Sequence, residues 1–191
     1  HKFGGNLPAM KKILPYTFII LFPYFILFLI YSLFQPSLME RFFGNSFYRG
    51  LLFLCMFGLL AFVSAVALLV SGLARKKDAL DLARVNVVIK LVQIPAYLLI
   101  FAVGLLCMIT IFTFGISLIL MILDGASILF SGLVGICAVK RGHAEGILSP
   151  GEWILHSILQ FVFCADIVSA VIVYRKGKRK TANRNSLTFP S

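Results

Sequence analysis

Charged residues are scarce in this chain, and their scarcity excludes an ordinary soluble domain. Only 13% of its 191 residues are Asp, Glu, Lys or Arg, whereas 60% are hydrophobic. Soluble globular domains carry about 25% charged residues. The composition therefore predicts an integral membrane protein, whose helices each need about 20 apolar residues to cross about 30 Å of hydrocarbon.

Acidic residues are the rarer kind of charge, with seven against eighteen Lys and Arg and a formal net charge of +11. An excess of this size would suit a nucleic-acid partner, but the sequence has no nucleic-acid-binding motif. Its basic residues stand in short clusters beside apolar runs, which is typical of topology signals and of contact with anionic lipid. We therefore expect the lipid bilayer and its anionic headgroups as partners, and no nucleic acid.

Paired cysteines are also missing, which argues against a disulfide framework. The four cysteines form no C-x-x-C pair, and all of them fall inside apolar segments. We interpret them as small buried hydrophobic residues. They are Cys55, Cys107, Cys137 and Cys164.

The sequence contains no catalytic motif of the Ser-His-Asp, G-x-S-x-G, P-loop or dinucleotide-binding kind. Four side chains, His143, Glu145, Glu152 and His156, are close enough in sequence to suggest a metal site. Their spacing is looser than H-E-x-x-H and common by chance, so interfacial side chains that reach for the headgroups are the better interpretation. We expect no enzymatic activity, no cofactor and no bound metal.

Long apolar runs are what the sequence has in abundance. They predict an all-α fold, a polytopic transmembrane helix bundle with four to five spans and a short interfacial amphipathic helix. Ser149-Pro150-Gly151-Glu152 is a helix-start signal, and the kink expected at Pro23 should be accommodated by a neighbouring helix. The predicted segments, within one domain over residues 10–174, are 13–34, 51–73, 91–112, 116–139 and 152–174.

Three flanking stretches differ from the apolar segments. Residues 1–9 precede Met10-Lys11-Lys12, a typical bacterial start, so we interpret them as a translated leader or a disordered start. Residues 78–94 carry Asn86, Lys90 and Gln93 on one helical face, which predicts an amphipathic helix in the cytoplasmic interface. Residues 175–191 are basic and are expected to be disordered or to lie on anionic headgroups.

The basic clusters give no consistent topology for five spans. With a cytoplasmic N-terminus, five crossings would place the basic tail outside, against the positive-inside rule. A re-entrant or interfacial third segment would return the tail to the inside. A fifth segment lying flat would put nearly all the positive charge inside. We expect a cytoplasmic N-terminus and leave the side of the tail open.

Two of the apolar segments each contain one aspartate in their interior: Asp124 and Asp166. An ionisable side chain inside a membrane span costs a few kcal/mol, so it marks a functional-site hypothesis by default. At 100° per residue, the polar residues of each segment fall within one arc. These arcs are Ser117, Asp124, Ser127, Ser131 and Gly135 in the first, and Glu152, His156, Gln160 and Asp166 in the second.

Because a short loop joins the two segments, we expect them to pack antiparallel with their polar arcs face to face. Both aspartates would then lie about 12 Å from the same membrane face. No Lys or Arg lies within the predicted apolar interiors, so the two carboxyls would share a proton or a cation. The alternative is a hydrogen-bonded helix pair, with Ser127 and Ser131 as further members of the site.

Three stretches of the chain resemble uncharacterised small multi-pass membrane proteins of Gram-positive bacteria: Met10-Lys11-Lys12, residues 89–97 and residues 166–176. The resemblance implies the bacterial cytoplasmic membrane. Two functions are open. One is a non-enzymatic accessory or structural membrane protein that contacts a membrane partner or a second copy through its helices. The alternative is a small proton- or cation-coupled transporter or channel component that uses Asp124 and Asp166.

Overall fold

The computed structural model describes residues 7–74, 78–109 and 113–188, and the side chains of those between Leu14 and residue 183. Within these ranges it has seven α-helices and no strand, so the predicted all-α fold class is confirmed. Four helices are long and apolar enough to cross a membrane, and the chain is a membrane protein on that ground. The candidate spans are Leu14–Leu33, Phe47–Ala74, Ala79–Met108 and Phe114–Ala144.

The chain divides into two compact units. The first unit comprises residues up to Ala65 and Gln93–Ser127, and the second comprises Val66–Val92 and residues from Ile128 onwards. Their boundaries fall within three of the long helices. In chain order the helices are α1 (Leu7–Leu33), α2 (Pro36–Phe43), α3 (Phe47–Ala74), α4 (Ala79–Met108), α5 (Phe114–Ala144), α6 (Pro150–Leu159) and α7 (Ala165–Thr188).

Aromatic rings of α1, α2 and α3 pack on one another in the first unit. Phe25 of α1 stacks on Phe57 of α3 with ring centroids 5.0 Å apart, and Phe43 of α2 lies 5.9 Å from Phe53. The short helix α2 begins with Pro36, whose missing N–H is not needed at a helix start. It ends at Gly44, whose φ of 58° gives the left-handed cap that glycine adopts without strain.

A side chain of α4 compensates for the proline inside α1. Pro23 has no N–H, so it leaves the carbonyl oxygen of Ile19, four residues earlier, without its helical donor. Gln93 Nε2 donates to that oxygen at 2.8 Å, and Tyr97 Oη donates to Gln93 Oε1 at 2.7 Å. The prediction that a neighbouring helix accommodates Pro23 is therefore confirmed.

The second unit is built around a small apolar core from α4, α5, the α5–α6 connection and α7. Its helix α6 begins at the predicted start signal, where Ser149 and Glu152 form a capping box that satisfies two backbone N–H groups. Helices α6 and α7 are joined by a turn at residues 160–164 and pack on each other. The buried core residues are Leu82, Ala83, Cys137, Ala138, Val139, Leu148 and Val173.

The predicted division of residues 78–112 into an interfacial helix and a separate span is wrong. Both belong to α4, which continues through Pro95. Its polar face points into the protein, with Lys90 and Gln93 fully buried, whereas Val88 and Leu91 are about half exposed. An amphipathic pattern shows only that two faces differ, and in a membrane protein the apolar face can be the outer one.

The fifth predicted segment, 152–174, is also not one helix, because the turn at residues 160–164 interrupts it. Cys164 in this turn has a φ of 63°, which no helical residue adopts. The basic stretch expected to be disordered is helical as far as Thr188. Of the predicted leader, residues 7–9 belong to α1, and residues 1–6 lie outside the described residues.

The cysteines are less uniform than the sequence predicts. Cys137 is buried, and its Sγ lies 3.4 Å from the carbonyl oxygen of Leu69. Cys55 and Cys164 are exposed on the protein surface, and Cys107 is half-buried. An apolar segment in a membrane protein has a side that faces lipid, so hydrophobicity alone does not predict burial in protein.

Candidate functional site

The second unit contains a buried ion pair. Lys90 Nζ of α4 is 2.6 Å from Asp166 Oδ2 of α7, and both side chains are almost completely shielded, at 0% and 2% exposed. Lys90 is eleven residues into α4, which is about 16 Å along the helix axis. Burying one such charge alone would be very costly, and the partner provides the compensating charge.

The position of Asp166 at the start of α7 favours its negative charge. It is the second residue of the helix, and its Oδ1 accepts a hydrogen bond of 2.8 Å from the backbone N–H of Ile167. Helix N-termini carry a partial positive charge and free N–H groups, which stabilise a carboxylate. The turn at residues 160–164 creates this N-terminus. The break in the fifth predicted segment therefore supplies the helix start that stabilises the carboxylate of the ion pair.

A chain of hydrogen bonds runs beside the ion pair. Asn86 Nδ2 donates to Gln160 Oε1 at 3.3 Å, and Gln160 Nε2 donates to Ser169 Oγ at 3.0 Å. His156 Nδ1 is 2.9 Å from the same Ser169 oxygen. These four residues are at most 5% exposed. We call them, together with Lys90 and Asp166, the polar network.

Two glycines of α5 allow the turn at residues 160–164 to approach closely. A Cβ at Gly135 would lie 2.0 Å from Gln160 Oε1, and one at Gly132 would lie 2.8 Å from the ring of Phe161. Both glycines therefore serve the packing of α5 against this turn. The predicted facing of the two polar arcs holds where Gln160 lies against Gly135.

A second ion pair closes the other end of the α6–α7 hairpin. Lys176 Nζ bonds to Glu152 Oε1, and both side chains are more than one-third exposed. The hydrogen bond from Lys176, followed by the backbone N–H of Ser149, lowers the pKa of Glu152 from 4.5 to about 2. The hairpin is thus fixed by an exposed ion pair at its ends and by the polar network near its turn.

Asp124 belongs to the first unit, whereas the residues of the polar network belong to the second. It is 8% exposed and borders a cleft of about 110 Å³ between α4 and α5. Ser117 borders the same cleft and donates its hydroxyl hydrogen to the carbonyl oxygen of Gly104 at 2.9 Å. Ser127 and Ser131 are buried, and each bonds a backbone carbonyl oxygen of its own helix.

The prediction that no basic residue would neutralise the aspartates is wrong for Asp166, which pairs with Lys90. Sequence reasoning missed Lys90 and Asn86 because it placed their face of α4 at the water interface. The signal was present in the spacing of Asn86, Lys90 and Gln93 on one face. It also missed Ser169, one turn beyond Asp166 on α7.

The four residues that suggested a metal site have other contacts. Glu145 Oε1 accepts from the backbone N–H of Ala79 at 3.0 Å, and His143 Nδ1 is 3.0 Å from the carbonyl oxygen of Leu148. Glu152 bonds Lys176, and His156 bonds Ser169. Among the residues that the structure describes, no group of three or more possible metal ligands comes together.

The polar network can stabilise contacts between helices. Its ionisable side chains, Lys90, Asp166 and His156, are also of the kinds that exchange protons.

Comparisons of the chain with protein-family models, with curated proteins and with solved structures find no match.

Proposed function

We propose that this chain is a non-enzymatic accessory or structural protein of the bacterial cytoplasmic membrane that acts through helix–helix contacts. One observation carries the proposal. The ionisable side chains buried in the second unit bond groups on other helices: Lys90 bonds Asp166, and His156 bonds Ser169. Interhelical polar contacts of this kind fix the arrangement of helices in a membrane.

The outer surfaces of the long helices suit contact with lipid or with other membrane helices. Large apolar side chains are widely exposed there, among them Leu59, Leu106 and Ile122, each at 63–67%. In water such surfaces would cause association, whereas in a bilayer they face hydrocarbon or a partner helix. We propose a membrane protein or a second copy of this chain as the partner.

Four crossings also resolve the conflict over topology. If α1, α3, α4 and α5 cross and the α6–α7 hairpin re-enters on the same side, every basic cluster faces the cytoplasm. These clusters are Lys11-Lys12, Arg75-Lys76-Lys77, Lys140-Arg141 and residues 175–180. The arrangement agrees with the positive-inside rule. We therefore propose that the N-terminus and the basic tail are both cytoplasmic, with the tail on anionic headgroups.

Photo-crosslinking in cells tests the proposed function. A photoreactive residue at Leu59, Leu106 or Ile122 should give a discrete crosslinked protein on at least one face. The same residue at the fully buried Ile100 should give none and serves as the control. Crosslinks to lipid alone from all three exposed positions would contradict a function through helix contacts.

Ion handling is the second candidate function, and the α6–α7 hairpin favours it. Interrupted helices that bring polar groups deep into a bundle are common in transporters. Here the interruption brings Gln160 to Asn86 and Asp166 to Lys90, and Asn86 Oδ1 is buried without a hydrogen-bond partner among the described residues. A proton-flux assay in liposomes tests it: flux should fall to background in Asp166→Asn and persist in Asp81→Asn, an exposed control.

A further inference from the structure

The basic stretch at residues 175–180 presents two different faces on α7. Three of its side chains, Arg175, Lys178 and Arg179, are exposed and recur at spacings of three and four residues. At 100° per residue, they share one arc of about 100° with Ala182 of the next turn. We call these three basic residues the outer basic cluster.

The opposite face of the same stretch is used within the protein. Lys176 Nζ bonds to Glu152 Oε1, and Lys180 Nζ donates to the carbonyl oxygen of Glu145 at 2.7 Å. Gly177, between these two lysines, is buried. This face therefore holds α7 against the rest of the second unit, and the outer basic cluster is directed away from it.

The outer basic cluster carries a charge that the protein itself does not compensate. Like charges three and four residues apart on a helix repel one another. Residues 167–191 contain no Asp or Glu, and none of the three cluster residues forms an ion pair with any residue that the structure describes. An anionic partner from outside the chain would remove the repulsion.

An open groove marks the place for that partner. The groove has a volume of about 350 Å³ and is lined by Arg175, Lys178, Arg179 and Ala182. Guanidinium groups match the geometry of phosphate oxygens and bind them through pairs of N–H donors, and a lysine adds a point charge. The groove therefore suits a phosphate group.

The same side of α7 is apolar closer to its start. Val168 and Ile172 are 59% and 37% exposed there. Val168 lies eleven residues before Arg179, which is about 16 Å along the helix. A phospholipid at the membrane interface has the same order of groups, acyl chains followed by a phosphate. A nucleic acid or a soluble phosphorylated peptide would leave the apolar part without a contact.

We propose that this side of α7 binds one anionic phospholipid, with its phosphate between Arg175, Lys178 and Arg179 and its acyl chains along Val168 and Ile172. The inference rests on the proposed function, which places the tail on cytoplasmic headgroups. It adds a defined site and the chemical class of its ligand. A lipid held there would fix the depth at which α7 leaves the membrane.

Brominated lipids test the inference with the full chain in bilayers. Trp153→Phe removes the only tryptophan of the sequence, and Val168→Trp supplies a reporter beside the proposed acyl chains. Bromine atoms on an acyl chain quench a neighbouring tryptophan. Quenching by brominated phosphatidylglycerol and by brominated phosphatidylcholine therefore compares an anionic with a zwitterionic lipid. We expect phosphatidylglycerol to bind at least about fivefold more strongly.

Variants of the outer basic cluster locate the binding. Arg175→Gln/Lys178→Gln/Arg179→Gln should reduce the preference to less than about twofold, because it removes all three charges. Arg175→Lys/Arg179→Lys keeps the charges and removes the paired N–H donors, so the preference should fall by at least about half. A full preference in this lysine variant would show that charge alone attracts the lipid, and would overturn the defined site.

Exposed basic residues on other helices provide a charge-matched control. Arg41→Gln/Arg84→Gln/Lys140→Gln removes the same charge from α2, α4 and α5 and should leave the preference unchanged. Circular dichroism establishes that each variant is folded, and the lysine variant tests the site where the glutamine variant does not fold. An equal loss in this control, or equal binding of the two lipids to the reporter chain, would overturn the inference.

Two further outcomes would assign the groove to another anion. Release of phosphatidylglycerol by millimolar inorganic phosphate would indicate a site for free phosphate. Binding of polyglutamate that depends on the outer basic cluster, with equal binding of the two lipids, would indicate an acidic protein partner.

The proposed function and this inference fail separately. Photo-crosslinking at Leu59, Leu106 and Ile122 does not involve α7. Protein crosslinks there without a lipid preference would support the proposed function and refute the lipid site. A lipid preference together with crosslinks to lipid alone would refute a function through helix contacts and support the lipid site.

Discussion

The two units of this protein use polar residues in opposite ways. In the first unit, aromatic rings of neighbouring helices pack on one another, and a glutamine bonds the carbonyl oxygen freed by Pro23. In the second unit, a fully buried ion pair and a chain of amide, hydroxyl and imidazole groups join three helices. The comparison indicates that the helices of the first unit are joined mainly by apolar contacts, whereas the α6–α7 hairpin is joined to α4 by directional bonds.

The largest expected effect comes from breaking the ion pair of the second unit. Lys90→Met should lower the free energy of unfolding by about 3–5 kcal/mol, because it leaves Asp166 charged and buried. Reversible unfolding in mixed micelles measures it. The double variant Lys90→Met/Asp166→Leu should recover most of the loss. Arg141→Met, which breaks a partly exposed pair with Glu145, should cost at most about 1 kcal/mol.

If Lys90→Met were no more destabilising than Arg141→Met, the ion pair would not be what holds α4 to α7. The contrast between the two units would then rest on packing alone.

A smaller effect is expected from the close approach of α5 to the turn at residues 160–164. Gly135→Ala places a methyl group 2.0 Å from the present position of Gln160 Oε1, so Gln160 must move and lose its bond to Asn86. We expect a loss of about 1–3 kcal/mol in the free energy of unfolding. Gly125→Ala on the same helix meets nothing within 4 Å and should be neutral or stabilising. Equal effects at the two glycines would contradict the contact.

In the first unit, replacing Gln93 should cost less. Gln93→Leu removes the donor to Ile19 and should lower the free energy of unfolding by about 0.6–2 kcal/mol, the range for single hydrogen bonds between membrane helices. In a Pro23→Ala background, Ile19 regains its helical donor, so the same change should cost less. A double-mutant cycle with no coupling between positions 23 and 93 would show that Gln93 does not compensate for the proline.

The smallest effect concerns the exposed pair at the ends of the α6–α7 hairpin. The hydrogen bond from the Lys176 ammonium group, and next the one from the backbone N–H of Ser149, hold the pKa of Glu152 at about 2 instead of 4.5. A carboxyl with a lowered pKa in the folded state contributes stability that is present above pH 4.5 and is lost as pH falls towards 2. Thermal unfolding of Glu152→Gln should therefore differ least from the unsubstituted protein near pH 2. A difference independent of pH would exclude this ion pair as its cause.

Several features of the fold and of the candidate site follow from the sequence, because they depend only on neighbouring residues or on the surrounding bilayer. Apolar length predicts the four helices able to span, although it also predicts a fifth at residues 152–174 that the structure interrupts. Ser149 with Glu152 predicts the start of α6. Asp124 and Asp166 stand out for the same reason, since an acid within an apolar run is costly wherever the run lies in a membrane.

Other features depend on which helix lies against which, and no local pattern contains that information. The spacing of Asn86 and Lys90 shows a polar face, but only the packing of α6 and α7 against it decides that the face is buried. The turn at residues 160–164 contains neither proline nor glycine. The turn fits against α5 because Gly132 and Gly135, more than twenty residues earlier in the chain, have no side chains that would clash with it.

The sequence by itself therefore determined that this is a membrane protein, that its fold is all-α, and that two acids within apolar segments need an explanation. The tertiary structure alone decided that Asp166 has a lysine partner and that Asp124 borders a cleft. The physical reason is that hydrophobicity acts on each residue separately, whereas ion pairs and clefts require two segments to meet.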